Sequence, residues 1–100
     1  MVQINWTQHA VSDLRDIHDF IARDSRKYAQ LQVVKIRSCV KILNQNPEAG
    51  RLVPEIGDRQ YREVIEGNYR IIYRVVSKKR VDILTVHHSA RDFRSREITA

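Results

Sequence analysis

Three arginines, Arg62, Arg70 and Arg74, fall in the most strand-like part of this 100-residue chain. In "GNYRIIYRV", Tyr69, Ile71, Tyr73 and Val75 share one parity, and Arg70, Ile72 and Arg74 share the other. An extended strand sends the two parities to opposite faces. A patch of Arg62, Arg70 and Arg74, joined from the C-terminal side by Arg91, would present permanently charged, geometrically fixed donors. Such donors suit a phosphodiester, or the charge that develops on a pentacovalent phosphate. The competing account is a solvated sheet face. There, arginine pairs with Glu63 or Glu66 across the strands would each contribute under about 1 kcal/mol.

The second candidate is "HHSARD", His87 to Asp92. Adjacent histidines on a strand point to opposite sides, so they cannot share one metal in the usual way. No Cys/His set at ligand spacing accompanies them, and no metal site is expected. His88 suits general acid–base work because its unperturbed pKa lies near neutrality. Equally, it fits a strand-end histidine hydrogen-bonded to Asp92. Ser89 beside His88 is adjacency in sequence, not nucleophile geometry, and neither a G-x-S-x-G elbow nor a phosphate-binding glycine loop is present. With 3 glycines in all, no nucleotide or redox cofactor is expected.

Composition sets the frame for these residues. The chain is 42% apolar and 30% charged, with a net charge of +6. Its length suits one domain, residues 1–100, able to bury about two-thirds of its unfolded surface. "MVQINWT" lacks the basic and apolar regions of a secretory signal, and no apolar run reaches bilayer length, so a cytoplasmic protein without membrane contact is expected. The single cysteine, Cys39, excludes an internal disulfide and fits a reducing cytosol. Its neighbours Ile36, Ile42 and Leu43 predict a buried, inert thiol. The positive excess points to an acidic partner, nucleic acid or protein. Much of that excess lies in "SKKR" and in Arg91, Arg94 and Arg96, whereas Asp13, Asp16, Asp19 and Asp24 offset the arginines near the N-terminus.

The elements that must position these residues are legible from periodicity. "VQINW" alternates and reads as a short strand, and Thr7 can cap the helix after it. Ala10, Leu14, Ile17 and Ile21 recur at helical spacing, opposite Asp13, Asp16 and Asp19. Ser25 can cap a second helix, whose stripe of Ala29, Val33, Ile36, Val40 and Leu43 runs until Pro47 forbids continuation. The two helices form an antiparallel hairpin. "PEAGRLVPEIGDRQ" reads as a loop. The segments "YREVIE", "YRIIYRVV" and "VDILTVHH" read as strands, the first two joined by a Gly67-Asn68 turn. A two-residue turn sets Val64 opposite Ile71 and Ile65 opposite Arg70, with the tyrosine face toward the helices and the arginine face open. The expected fold is α+β: an N-terminal strand and a helix hairpin packed on a small antiparallel sheet.

The ordered set "INWTxxAxxDLxxIxxFIA", "ILNQNPEAGRLVPE", "REVIEGNYRIIYRV" and "ILTVHHSARDF" resembles the RelE/ParE superfamily, toxins of bacterial type II toxin–antitoxin pairs, from Val2 to Phe93. The resemblance implies the same fold and a cognate antitoxin whose acidic or amphipathic tail wraps the toxin. RelE-like members cut mRNA on the ribosome; ParE-like members poison DNA gyrase. Arg70, following Tyr69, matches the RelE-type arginine that contacts the scissile phosphate, and Arg62 stands where one catalytic lysine stands. The second lysine falls on Val64. The C-terminal tyrosine has no counterpart, Phe93 being the nearest aromatic, and His88 is the available substitute. The "PEAGRLVPE" loop and "VxHxARDF" ending look more like the ParE branch, in which Arg51, Tyr69, Arg70 and Tyr73 recur.

The resemblance therefore favours a toxin that binds gyrase, with a functional face of Arg51, Arg70, Arg74 and Arg91. Its alternatives are a ribosome-dependent endoribonuclease with Arg62, Arg70 and His88 as catalytic residues, and a degenerate antitoxin-binding module without toxicity. A functional sheet face further implies that Arg70→Ala alters toxicity more than stability.

Overall fold

A computed structural model describes residues 1–89. The elements are β1 (Gln3–Trp6), α1 (Gln8–Ala22), α2 (Arg26–Lys41), a 3-10 turn (Ile42–Asn44), β2 (Arg51–Leu52), β3 (Tyr61–Glu66), β4 (Tyr69–Ser77) and β5 (Arg80–His88). They form a helix hairpin on one face of a five-stranded sheet ordered β1-β5-β4-β3-β2. The α+β class is the expected one. β1 runs parallel to β5, while the remaining pairs are antiparallel. The connection between the parallel strands β1 and β5 contains the helix hairpin and strands β2 to β4.

Both expected caps form. Thr7 Oγ1 accepts from the Ala10 N–H (3.2 Å) and donates to the Ile83 carbonyl (2.7 Å), so one hydroxyl starts α1 and fastens it to β5. Ser25 Oγ accepts from the Tyr28 N–H (3.2 Å) at the start of α2. The buried faces follow the periodicity: Ala10, Ile36, Val40 and Leu43 pack on Ile71, Tyr73, Val81, Ile83 and Val86. Cys39 is only half-buried, its Sγ 3.9 Å from the Ile65 carbonyl. Burial, and secondarily the nearby Glu66 carboxylate, push its thiol pKa up.

The Gly67-Asn68 turn closes β3 and β4 in the expected register, Val64 opposite Ile71 and Ile65 opposite Arg70. Gly67 adopts φ 57°, as the first position of such a turn requires. Two features were not legible. Arg51 and Leu52 leave the predicted loop to pair with β3. The arginine face of β4 is also not open: Ile72 is fully buried under Val53, Ile56, Tyr61 and Leu84. The segment between β2 and β3 folds over the sheet and makes a second, smaller core.

That segment is tied down by Tyr73. Its buried hydroxyl donates to the Pro47 carbonyl (2.8 Å) and accepts from the Gly50 N–H (2.9 Å). Gly50 is pressed so close that a Cβ there would lie 2.5 Å from the Glu63 carbonyl oxygen. Tyr73→Phe leaves a buried donor and a buried acceptor without their partner. Urea unfolding should show a loss of about 1–3 kcal/mol, and an unchanged midpoint would refute this role.

Candidate functional site

The second sheet face is organised around Glu63, whose side chain has no solvent exposure. The alternation of "YREVIE" sends Glu63 to the face opposite Val64, and β2 sets Arg51 directly across from it. Arg51 Nε reaches Glu63 Oε2 at 2.7 Å, and Arg70 Nε reaches Oε1 at 2.7 Å. Each carboxylate oxygen thus receives one arginine. The outer edge of Arg70 is occupied as well: Nη1 and Nη2 donate to Glu55 Oε2 (2.7 Å) and Oε1 (2.9 Å), a bidentate pair. Glu55 is held there by a tight turn in which the Ile56 and Gly57 N–H groups both donate to the Val53 carbonyl (3.1 Å). Gly57 has φ 70°.

Two arginines and two glutamates make this cluster electrically neutral. Hydrogen bonding to Glu55, with a further contribution from Glu63, raises the Arg70 pKa above its ordinary value. The same pair pulls Glu55 down to about 2, the hydrogen bond from Arg70 being the largest cause and the charge of His87 a smaller one.

The predicted site residues separate. Arg51 and Arg70 meet at Glu63. Arg74 shares their face but lies beyond Ile72, over the Tyr61 ring (5.9 Å) and opposite Asp82. Arg62 lies on the other face, opposite Tyr73, where its Nη1 donates to the Gly50 carbonyl (2.9 Å). The expected Arg62–Arg70–Arg74 patch is therefore corrected. With a two-residue turn, positions 62 and 70 cannot share a face. His88 is on the helix side, its ring edge-on to Tyr69 at 5.5 Å. It lines a groove of about 430 Å³ with Asp13, Asp16, Ile17, Phe20 and Tyr69. His87, buried, sits beside Arg70 on the other face. Arg91 lies outside the described residues.

A bulge sorts the histidines. Ile72 pairs with Thr85 but Tyr73 pairs with Ile83, so Leu84 is an extra residue in β5. Val81 and Ile83 face the helices, and after the bulge Val86 does. Asp13 of α1 holds the irregularity, its carboxylate accepting from Thr85 Oγ1 (2.6 Å) and the Val86 N–H (3.0 Å). Glu55 went unread as a site residue, and the buried roles of Glu63 and Asp13 did too. Only Glu63 left a signal, through its parity with Arg70 across the turn, and it was taken as an exposed partner.

Comparisons with known proteins agree with this architecture. The family model for the ParE toxin of type II toxin–antitoxin system, parDE, matches residues 4–93. Toxin RelE2 of Caulobacter vibrioides is 31% identical over 91 residues, 91% of this chain and 99% of that protein. Among solved structures, the chromosomal ParDE TA system from P. aeruginosa aligns with a TM-score of 0.71 at 25% identity, covering 88% of this chain and 96% of that one. The RelBE2 toxin–antitoxin complex from Mycobacterium tuberculosis shares the fold, with a TM-score of 0.62 at 20% identity over 87% of this chain and 96% of that one. The fold and the matches define a small toxin of the RelE/ParE superfamily. Within it, the chain belongs to the ParE toxin family of type II toxin–antitoxin systems.

The geometry reverses the expectation for Arg70→Ala. Removing Arg70, 11% exposed, strips a fully buried carboxylate of one of its two cations. The loss in urea unfolding should be about 3–5 kcal/mol, and a neutral result would show that the network does not anchor the sheet. The Glu55 pKa adds a pH dependence. Its folded value of about 2 lies below the ordinary 4.5, so between these the unfolded chain binds more protons and stability rises with pH. The contribution of Glu55 is present above about pH 4.5 and is lost as pH falls toward 2. Melting temperatures across that window should fall less steeply for Glu55→Gln than for the parent chain. Parallel curves would refute the assignment.

Proposed function

We propose that this chain inhibits bacterial growth by binding DNA gyrase, without catalysing a reaction of its own, and that a cognate antitoxin neutralises it. Membership of the ParE family makes it a toxin. The observation that carries the non-catalytic reading is the state of Arg70: both edges of its guanidinium are closed by Glu63 and Glu55. A scissile phosphate would have to displace a bidentate carboxylate. Arg62 and His88 also lie on the sheet face opposite Arg70, so the three do not converge on one reacting group. The antitoxin reading is supported by relatives whose solved structures are toxin–antitoxin complexes.

The ribosome-dependent nuclease is the second reading, favoured by the relative named Toxin RelE2 and by the placement of His87 beside Arg70. Two measurements separate the readings. Cells expressing the chain should accumulate gyrase-dependent double-strand breaks while primer extension finds intact mRNA, and the purified chain should block supercoiling by gyrase. Discrete mRNA cuts at codon boundaries with normal gyrase activity would overturn the proposal in favour of the nuclease. Expression without growth arrest would point instead to the degenerate module.

A further inference from the structure

The second sheet face is electrically uneven. At one end Arg51 and Arg70 are matched by Glu63 and Glu55. At the other end a single carboxylate meets two arginines. Arg74 and Asp82 stand opposite each other in β4 and β5. Arg80, however, takes both Asp82 oxygens, Nε to Oδ1 at 2.8 Å and Nη2 to Oδ2 at 2.9 Å. Asn5 of β1 donates to Oδ1 as well (3.1 Å). Arg74 is left over. Among the described residues it makes no ion pair and its Nε has no hydrogen-bond partner; its guanidinium lies over the Tyr61 ring at 5.9 Å. The turn that follows β4 extends the excess. Lys78 and Lys79 are exposed, next to Arg80, whose side chain is half-exposed. Arg59 is exposed too, and the Gln60 carbonyl after it accepts from the Val75 N–H (2.8 Å), which sets it at the same end of the sheet. Arg59, Arg74, Lys78, Lys79 and Arg80 are thus gathered against only Asp58 and Asp82.

We infer that this end of the sheet, Arg74 with the Lys78–Lys79–Arg80 turn, is a sequence-independent contact surface for the phosphate backbone of duplex DNA. Arg74 and the turn are separated by about 10 Å of strand, a length over which a duplex presents several phosphates. The chemistry of the patch selects this occupant. None of the large apolar side chains exposed among the described residues lies on β4, on β5 or in the turn between them. A protein partner would leave lysines where interface cores are depleted of them and offer no aromatic or aliphatic anchor. A bilayer surface holds a basic patch stably only with an apolar or lipid anchor beside it. A polyanionic backbone needs neither, because its affinity comes from cations that replace condensed counterions. Such contacts position a protein without reading bases. Naming duplex DNA among polyanions rests on the function proposed above, since a chain bound to gyrase meets the DNA that gyrase holds.

The test titrates the purified chain onto a fluorescently labelled random-sequence duplex, read by anisotropy between about 50 and 200 mM salt. Lys78→Gln/Lys79→Gln should weaken binding at least roughly 10-fold at the low-salt end and lower the salt slope by about 2. Arg74→Gln should lower the slope by about 1. Lys27→Gln/Lys35→Gln, which removes the same charge from exposed positions of α2, is the control and should bind as the parent does. Lys78 and Lys79 are exposed turn side chains, so their variant should melt with the parent and the test does not depend on how well Arg74→Gln folds. If the α2 control weakens binding as much as the turn variant, the duplex senses net charge alone and the surface is overturned. A duplex that does not bind overturns it too, as do single-stranded RNA or phosphatidylserine vesicles that bind more tightly through the same residues. Supercoiling assays separate this outcome from the gyrase reading. Gyrase inhibition by a chain that binds no duplex removes the DNA surface and keeps gyrase as the target. Duplex binding that the turn variant abolishes, in a chain that leaves gyrase active, keeps the surface and removes gyrase.

Discussion

A carboxylate without access to water cannot remain charged unless cations and hydrogen bonds replace its hydration. Glu63 meets that demand with Arg51 and Arg70, one on each oxygen. Much of the second sheet face follows from it. Arg51 must pair as a strand with β3 to reach its oxygen, which creates the edge strand β2. Arg70, once turned toward Glu63, projects its other edge to the turn at Glu55, which brings Val53 over Ile72. Replacing such a network by apolar residues is often neutral or stabilising, so its presence does not measure stability. What it provides is geometry, because each partner is costly to lose while the others remain buried.

The same network changes what the arginines mean. Side-chain type marks Arg70 as a phosphate ligand, but a guanidinium presents only so many donors, and those on its two edges are engaged. Charge free for a partner therefore lies elsewhere. It sits on α2, where five bases have no acidic neighbour on the helix, and in the "SKKR" turn, where Lys78 and Lys79 are exposed. On α2 it lies beside the exposed side chains of Tyr28, Leu31, Val34 and Ile42.

Irregularities in β5 carry similar weight. One inserted residue, Leu84, reverses the parity of everything after it, so that His88 rather than His87 reaches the Tyr69 side. Unbroken alternation from Val81 and Ile83 would have placed His87 with the helices. The bulge persists because Asp13 satisfies the Thr85 hydroxyl and the Val86 N–H, and because Thr7 holds the Ile83 carbonyl. Both partners come from residues more than seventy positions away.

The division between sequence and tertiary structure follows range. Helix periods, the Thr7 and Ser25 caps, the Gly67-Asn68 turn and the β3–β4 register depend on residues a few positions apart, and local spacing alone determined them. The α+β class followed, because a helix hairpin and three consecutive strands have few ways to bury their apolar faces. The face of Arg62 was already implied by the two-residue turn, whereas whether Glu63 is solvated or buried and which histidine joins Tyr69 were decided only by the folded chain. Those outcomes rest on contacts between β2 and β3, between the Glu55 turn and β4, and between α1 and β5. A buried charge and a one-residue bulge leave no periodic trace in sequence, because the groups that stabilise them are distant along the chain.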